Sequence, residues 1–218
     1  NLFIASKKYV SILFSDIRKF TTLSEMMLPE DVLMILNYYF SMMVELIIGN
    51  DGVVDKFIGD AIMAIFGESS ALESRSAYNA CRCAVKMIET LQRYNESSSL
   101  KEGDAEYLNI GVGINTGLVI AGSIGTEQRM EYTVIGDNVN VASRLESLTK
   151  YYRVNIIIGE DTYKLISDYF IFRELDLVRV KGKSTPIRIY ELITDIPDKT
   201  FTMEEIGRAH VWTPVTEY

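Results

Sequence analysis

The chain of 218 residues has a formal net charge of −8 at pH 7, from 22 lysines and arginines against 30 aspartates and glutamates. This acidic balance argues against a nucleic-acid-binding surface, because such surfaces need clustered basic side chains. With 48% apolar and 24% charged residues, the composition is typical of a globular domain of ordinary size. No continuous apolar run reaches the ~20 residues of a membrane-spanning helix, so we expect none in this chain.

The hydrophobic pattern predicts the order of the helices and strands. Short apolar runs rich in β-branched residues predict strands, and apolar residues spaced three and four apart predict helices. In chain order we expect a strand at residues 9–14, a loop at 16–25, a helix opened by Pro29 and ended by Gly49, a hairpin of strands at 53–57 and 61–66, a helix at 74–94, strands at 108–115, 117–124 and 131–135, a helix capped by Asp137 and reaching residue 150, a strand at 154–158, a short helix from 161, and strands at 174–180 and 187–193.

This order, β-α-β-β-α-β followed by a further α/β portion, predicts an α+β fold. We expect a ferredoxin-like, palm-type core with a C-terminal α/β extension, in which helices cover one face of a largely antiparallel sheet. No internal repeat or linker divides residues 8–195, so we interpret them as one domain.

The two ends of the sequence differ from this domain. Because the chain begins without methionine, we interpret residues 1–7 as a truncated linker from a longer protein. We expect residues 196–218 to be a disordered tail, and residues 206–216 within it resemble the translation of a sequencing-library adapter. The single histidine, His210, and the single tryptophan, Trp212, lie in this stretch. His210 is therefore not considered as a catalytic base.

Two cysteines, Cys81 and Cys83, lie two positions apart on a predicted helix. Such residues do not face each other, so we expect neither a disulfide nor a metal site, with one thiol packed and the other partly exposed. Reduced thiols are typical of the cytosol, and we expect a cytoplasmic location.

Two aspartates follow strand-like apolar runs: Asp16 after residues 10–15, and Asp60 at the turn of the predicted hairpin. A carboxylate at the end of a buried strand is costly to desolvate unless a cation or donor satisfies it. A pair of them can hold hard divalent cations over the phosphates of a nucleotide. Either aspartate alone could equally be a turn residue.

Three motifs contain these aspartates and resemble one family. They are FSDIRKFTTLS at residues 14–24, VDKFIGDA at 54–61 and YTVIGDNVNVASR at 132–144. Together they closely resemble the class III nucleotidyl cyclase catalytic domain, over about residues 8–192, and three motifs in order are far more specific than one. The resemblance implies conversion of a nucleoside triphosphate to its 3′,5′-cyclic monophosphate and pyrophosphate. It also implies that the sites form between two catalytic domains arranged head to tail.

The resemblance implies a metal and phosphate site. Asp16 and Asp60 would bind two Mg²⁺ or Mn²⁺ ions per site, with help from the Ile17 carbonyl. Phe20 and Thr21 would lie along the phosphates and offer backbone N–H groups. Most relatives carry glycine at the position before Phe20, where this chain has lysine; that lysine is either a solvated loop cation or an additional phosphate contact.

The resemblance also implies the choice of base. Lys56 would donate to adenine N1 and Thr133 would accept from the 6-amino group, whereas guanine-selective relatives carry Glu and commonly Cys at these positions. Guanine presents a donor at N1, so Lys56 would face a mismatched group. Taken alone, Lys56 could be a strand lysine with an exposed head, and Thr133 a β-branched strand former.

Three further residues are implied to contact the ribose and phosphates. Asn140 and Arg144 are four apart on one predicted helix and so share a face; by resemblance, Asn140 orients the ribose and Arg144 contacts the phosphates. Lys181 resembles the triphosphate lysine of the family, with Lys183 as the alternative. An exposed helix pair and a solvated basic turn remain the plain interpretations of these residues.

These expectations combine into an adenylate cyclase domain that acts on ATP as a head-to-tail homodimer. Asp16 and Asp60 would come from one chain, and the base, ribose and phosphate contacts from its partner. The alternatives are a guanylate cyclase and a non-catalytic regulatory or dimerisation module on the same fold. A diguanylate cyclase is excluded because its Gly-Gly-acidic signature is lacking. We expect the full-length protein to carry an N-terminal sensor or membrane region.

Overall fold

The structure, a computed structural model, describes residues 5–67, 73–104, 106–126, 128–179 and 186–197. Lys181, Lys183 and the predicted tail from residue 198 onward lie outside this part of the chain. The elements are β1 (Ser6–Ile17), α1 (Phe20–Glu25), α2 (Pro29–Ile48), β2 (Gly52–Ile58), β3 (Ala61–Phe66), α3 (Glu73–Ser97), β4 (Ile110–Thr126), β5 (Arg129–Ile135), α4 (Asp137–Tyr152), β6 (Ile156–Gly159), α5 (Glu160–Ile166), β7 (Phe170–Val178) and β8 (Ile187–Asp195).

Eight strands form one sheet in the order β2-β3-β1-β4-β6-β8-β7, with β5 paired to β4 as a hairpin. Among the described strands, β4 and β6 are the one parallel pair. The first four strands, with α2 and α3 as their connections, form the predicted ferredoxin-like core, and the later elements extend the sheet beyond β4. The predicted α+β class is confirmed.

The core lies on both faces of this sheet. Side chains of β1 alternate, so that Leu13 and Ile17 face α2 and α3 in the larger core cluster. Val10 and Ile12 face the opposite side, where Ala142 of α4 packs against them. The prediction that the helices cover one face was therefore wrong for α4.

Two glycines of β4 bring α4 onto this second face. A Cβ atom added to Gly113 would lie 2.1 Å from the backbone nitrogen of Glu146, and one added to Gly111 would lie 2.2 Å from Thr149 Oγ1. Because a side chain would meet the helix itself at Gly113, the close approach of α4 depends on glycine there.

Three local predictions were also wrong. The two strands expected at 108–115 and 117–124 are one continuous strand, β4, since Gly117 keeps an extended backbone. The expected loop at 16–25 contains the short helix α1. Asp137 is the first residue of α4 rather than its cap, because Gly136 precedes the helix and no side-chain cap is formed.

Helix α2 is long and apolar enough, by length and composition, to cross a membrane, although the sequence analysis expected no such segment. It is the one helix of this kind in the described part of the chain. Tyr39, Met43 and Ile47 on one face of α2 are fully buried in the larger core cluster. Core helices of globular domains meet the same criterion, so length and composition alone do not distinguish a membrane span from a packed helix.

Cys81 and Cys83 are both free and buried on α3. The expectation that one thiol would be partly exposed was therefore wrong. Burial raises the pKa of Cys83 to about 12, so this thiol stays protonated and unreactive at neutral pH.

Candidate active site

The sheet brings Asp16 and Asp60, here called the carboxylate pair, side by side. Asp16 lies at the end of β1, and Asp60 lies in the turn between β2 and β3. Because β3 pairs with β1 through Ser15 and Ile62, this turn stands beside the end of β1. Gly59 has a φ of 63°, a left-handed conformation that glycine adopts without strain and that allows the tight turn.

The two carboxylates are close enough to perturb each other. Burial, followed by contact with the Asp16 carboxyl, raises the pKa of Asp60 to about 6, while its own backbone N–H and that of Ile17 oppose this rise. Two like charges that share one small space raise the pKa of one partner unless a cation neutralises them. The pair is therefore a local concentration of negative charge.

Helix α4 adds two charged groups that the sequence analysis missed. Lys150 Nζ lies 2.7 Å from Asp16 Oδ2. Glu146, one turn earlier, is 7% exposed, and its Oε1 has no hydrogen-bond partner among the described residues. Burial and the neighbouring Asp16 raise the pKa of Glu146 to about 7. The four-residue spacing of Glu146 and Lys150 marked a common helix face, but nothing local in the sequence indicated that this face meets β1.

The donor set of the carboxylate pair fits a hard divalent cation. Within the described ranges, no cluster of three or more His, Cys, Asp or Glu side chains could enclose a metal ion. Two carboxylates, with the Ile17 carbonyl that the resemblance implies, would supply part of an oxygen shell and leave positions for phosphate oxygens and water, as Mg²⁺ prefers. Burial first, and the neighbouring Asp16 second, raise the pKa of Asp60, so its ionised form lacks a compensating positive charge that a cation would supply.

The segment after β1 places the predicted phosphate-binding residues. Lys19 lies immediately before α1, is exposed, and has a left-handed φ of 59°. This conformation favours glycine, the residue that most relatives were expected to have there. Thr21 is exposed at the start of α1, whereas Phe20 packs partly against the larger core cluster.

The predicted base-binding residues form a second polar cluster, the base-side group, composed of Asp55, Lys56, Glu131 and Thr133. Lys56 Nζ lies 2.9 Å from Glu131 Oε1 and 3.5 Å from Asp55 Oδ2. Thr133 Oγ1 donates to the same Asp55 Oδ2 across 2.8 Å. The structure thus brings Lys56 of β2 and Thr133 of β5 together through Asp55, a residue that the sequence analysis did not select.

A β-bulge explains why neighbouring residues act on the same cluster. Val54 pairs with Ala64 and Lys56 with Met63, so Asp55 is an extra residue in β2. Regular alternation would place Asp55 and Lys56 on opposite faces, but a bulge redirects side chains locally.

Asn140 and Arg144 lie one turn apart on α4, as predicted. Asn140 is exposed and Arg144 is half-buried. Arg144 Nη1 is buried and has no hydrogen-bond acceptor among the described residues. Buried donors are usually paired, so Arg144 has unused capacity to bind an anion.

Within the described residues, no hydrogen bond or ion pair joins the carboxylate pair to the base-side group, Asn140 or Arg144. Within one chain, the predicted site residues therefore form separate groups: the carboxylate pair, the base-side group, and Asn140 with Arg144 on α4.

Comparison with known proteins agrees with the motifs. The family described as adenylate and guanylate cyclase catalytic domain matches residues 3–194. An adenylate cyclase of Dictyostelium discoideum, specific to terminal differentiation, is 45% identical over 85% of this chain, which corresponds to 9% of that relative. The chain spans between 9% and 37% of the length of three curated adenylate cyclase relatives.

Solved structures of both nucleotide specificities share this fold. The adenylyl cyclase CyaB of P. aeruginosa superposes with a TM-score of 0.81 at 34% identity, covering 90% of this chain and 100% of that one. The guanylyl cyclase Cya2 superposes with a TM-score of 0.76 at 33% identity, covering 89% of this chain and 96% of that one. This chain belongs to the adenylate and guanylate cyclase catalytic domain family.

Proposed function

We propose that this domain is an adenylate cyclase, which converts ATP to 3′,5′-cyclic AMP and pyrophosphate. The similarity to both adenylyl and guanylyl cyclases leaves the base open, so the proposal depends on the base-side group. Its central observation is that Lys56 and Thr133 share Asp55 as their common partner. The similarity to named adenylate cyclases supports the same conclusion.

The chemistry of this group favours adenine. The Lys56 ammonium is a donor and would pair with N1 of adenine, which accepts, whereas N1 of guanine carries a hydrogen and donates. The Thr133 oxygen would accept from the 6-amino group. A buried mismatch of this kind costs about 1–3 kcal/mol, which corresponds to a preference of roughly fivefold to 150-fold.

The carboxylate pair would hold the divalent cations, Mg²⁺ or Mn²⁺ and two per site, with the Ile17 carbonyl. Bound cations of this kind lower the pKa of the ribose 3′-hydroxyl and stabilise charge on the departing pyrophosphate. Phe20 and Thr21 would offer backbone N–H groups to the phosphates. No side chain of the described residues is assigned as a dedicated general base.

Asn140 and Arg144 would act on the ribose and the phosphates from α4. Arg144 suits developing phosphate charge, because its planar fork binds two oxygens at once and its Nη1 is unpaired within the described residues. Lys181, outside the described part of the chain, keeps its predicted role as a triphosphate contact.

The site would be completed in a head-to-tail homodimer. The separation of the carboxylate pair from the base-side group supports this arrangement, because a partner can supply the group that each half lacks. The β4–β5 hairpin adds support, since it exposes a set of large apolar side chains that an interface would cover: Leu118, Ile120, Ile124 and Ile135.

We also propose a cytoplasmic location for the domain, where ATP is abundant and buried thiols stay reduced. The length of the curated relatives supports the proposal that the full-length protein carries further regions, such as an N-terminal sensor or membrane region. The acidic net charge gives no reason to propose nucleic acid as a partner.

Incubation of the purified domain with ATP and Mn²⁺, at protein concentrations that favour dimers, tests this function. The expected product is 3′,5′-cyclic AMP with one pyrophosphate for each molecule. Absence of cyclic AMP contradicts the proposal, and faster turnover of GTP favours the guanylate cyclase. A domain that dimerises and binds nucleotide without turnover is the regulatory module.

A further inference from the structure

We propose that Asp55 is a positioning residue that fixes the direction of the Thr133 hydroxyl and thereby sets the preference for adenine over guanine. This inference rests on the proposed adenylate cyclase function, in which the base-side group binds the purine. It concerns a residue that would not itself need to touch the substrate.

The hydrogen bond between the two residues is short and shielded. Thr133 Oγ1 lies 2.8 Å from Asp55 Oδ2. The side chain of Asp55 is 3% exposed, and Thr133 is 7% exposed. An ionised carboxylate can only accept, so the single hydroxyl hydrogen of Thr133 points toward Asp55. The remaining lone pairs of Thr133 Oγ1 are then the groups left for a ligand.

This direction matters because a free hydroxyl does not discriminate between the two purines. A threonine hydroxyl that can rotate accepts from the 6-amino group of adenine and donates equally well to O6 of guanine. With its hydrogen committed to Asp55, Thr133 can accept but cannot donate toward the ligand. Guanine O6 would then meet an oxygen lone pair without an intervening hydrogen, which is an unpaired buried acceptor.

The position of Asp55 is maintained by Lys56 and by the bulge in β2. Lys56 Nζ lies 3.5 Å from the same Oδ2 that accepts from Thr133. The extra residue in β2 turns Asp55 toward β5 rather than to the other face of the sheet. One carboxylate thus aligns two base-contacting residues that come from different strands.

A carboxylate at this position has an energetic disadvantage. Burial raises the pKa of Asp55, and the contacts with Thr133 and Lys56 only partly oppose it. A buried ionised group retained against desolvation adds little to stability compared with an apolar side chain of similar size. Its location inside the base-side group is therefore better explained by positioning of the ligand contacts.

A double-mutant cycle on the full 218-residue chain tests the inference. Asp55→Ala is measured alone and combined with Thr133→Val, a β-branched replacement that keeps the shape of threonine but removes the hydroxyl. The readouts are kcat/KM for ATP and for GTP, and the dissociation constants of the α,β-methylene analogues of both nucleotides. Binding of the analogues is measured because it does not require turnover.

We expect Asp55→Ala to reduce the ATP-to-GTP preference about tenfold when Thr133 is present, chiefly through tighter GTP binding, because the freed Thr133 hydroxyl can then donate to guanine O6. In the Thr133→Val background, the same change should leave the preference nearly unaltered. A loss of packing or of Lys56 alignment would instead shift both backgrounds equally. Equal shifts, or an unchanged preference in Asp55→Ala, overturn the inference.

These outcomes are separable from failure of the proposed function. If the wild-type chain forms no cyclic AMP but its preference between the ATP and GTP analogues depends on Asp55 as expected, the catalytic proposal fails and the inference stands. If the wild-type chain binds neither analogue, there is no base site and both are overturned. If Asp55→Ala does not fold, Asp55→Leu provides the same removal of the acceptor with a side chain suited to a buried site.

Discussion

Lys150 of α4 donates to Asp16 of β1 across 2.7 Å, linking residues 134 positions apart in the sequence. The ammonium group thus neutralises part of the charge on the carboxylate pair, and it lies at the position where a divalent cation is proposed to bind. An incoming cation must share Asp16 with Lys150 or displace it. Lys150 is therefore expected to set the cation affinity.

The first prediction is that Lys150→Ala increases Mn²⁺ affinity. Removing one positive charge beside Asp16 strengthens the local negative potential, and because Lys150 is half-exposed, solvent screening limits the gain to about two- to fivefold. Titration of free Mn²⁺ by electron paramagnetic resonance measures this directly. Lys164→Ala is the control, since Lys164 forms a similar 2.8 Å pair with Glu160 on α5; an equal gain in both variants contradicts a local effect.

The second prediction concerns pH. The pKa of Asp60 rises from 3.8 to about 6 on folding. Between pH 3.8 and about 6, the folded chain without a bound cation therefore keeps a proton on Asp60 that the unfolded chain has already released. Stability therefore falls as pH rises through this window. Asp60→Asn removes this contribution. In chelator above pH 6, we expect its Tm to exceed that of the wild type by about 3 °C, as ~1 kcal/mol predicts for a domain of this size. The pKa shift alone implies ~3 kcal/mol, which solvent screening at this partly exposed site reduces.

Mn²⁺ provides the other half of this test. The cation should raise the Tm of the wild type and have little effect on Asp60→Asn, because the variant has lost half of the carboxylate pair. The variant should also lose cyclase activity while keeping the dimer mass in size-exclusion chromatography with light scattering. Retained activity in Asp60→Asn would refute the metal assignment.

The third prediction is that Glu131→Gln improves use of ATP. Lys56 lies 2.9 Å from Glu131, and this contact must loosen before Lys56 can bind N1 of the base. Glu131 is half-exposed, so we expect the KM for ATP to fall about two- to threefold, with kcat unchanged. Glu174→Gln, which breaks the 2.6 Å pair with Arg188, is the matched control and should not alter KM.

The fourth prediction is that Gly113→Ala destabilises the fold. Its Cβ would lie 2.1 Å from Glu146 N and 2.4 Å from Ala142 O, so α4 would have to move away from β4. We expect a loss of about 3 kcal/mol, within the range of overpacked cores, and a fall in Tm of about 10 °C by thermal unfolding. Gly49→Ala, where φ is −66° and the nearest atom is 3.1 Å away, should cost far less.

The sequence allowed much of the fold to be predicted because the relevant signals are local. Pro29 marked the start of α2, and Gly59 with Asp60 marked the tip of the β2–β3 hairpin. The position of α4 could not be predicted in this way. Gly111 and Gly113 were visible in the sequence, but that they admit a helix follows only from the structure.

The candidate site was predictable to a similar degree. Asp16, Asp60, Lys56 and Thr133 belong to short motifs, so the resemblance located them. Asp55 was missed because its role arises from a β-bulge, which changes the facing of one strand without a clear sequence signal. Lys150 was missed for another reason, since its partner is distant in sequence.

The adenylate cyclase assignment is tested most directly by the ratio of kcat/KM for ATP to that for GTP, measured for the purified domain at saturating Mn²⁺ and at protein concentrations that favour dimers. We predict formation of 3′,5′-cyclic AMP and a ratio of about ten or more in favour of ATP, as a mismatched guanine at Lys56 and Thr133 requires. A ratio at or below one, or no cyclic nucleotide from either substrate, would contradict this assignment.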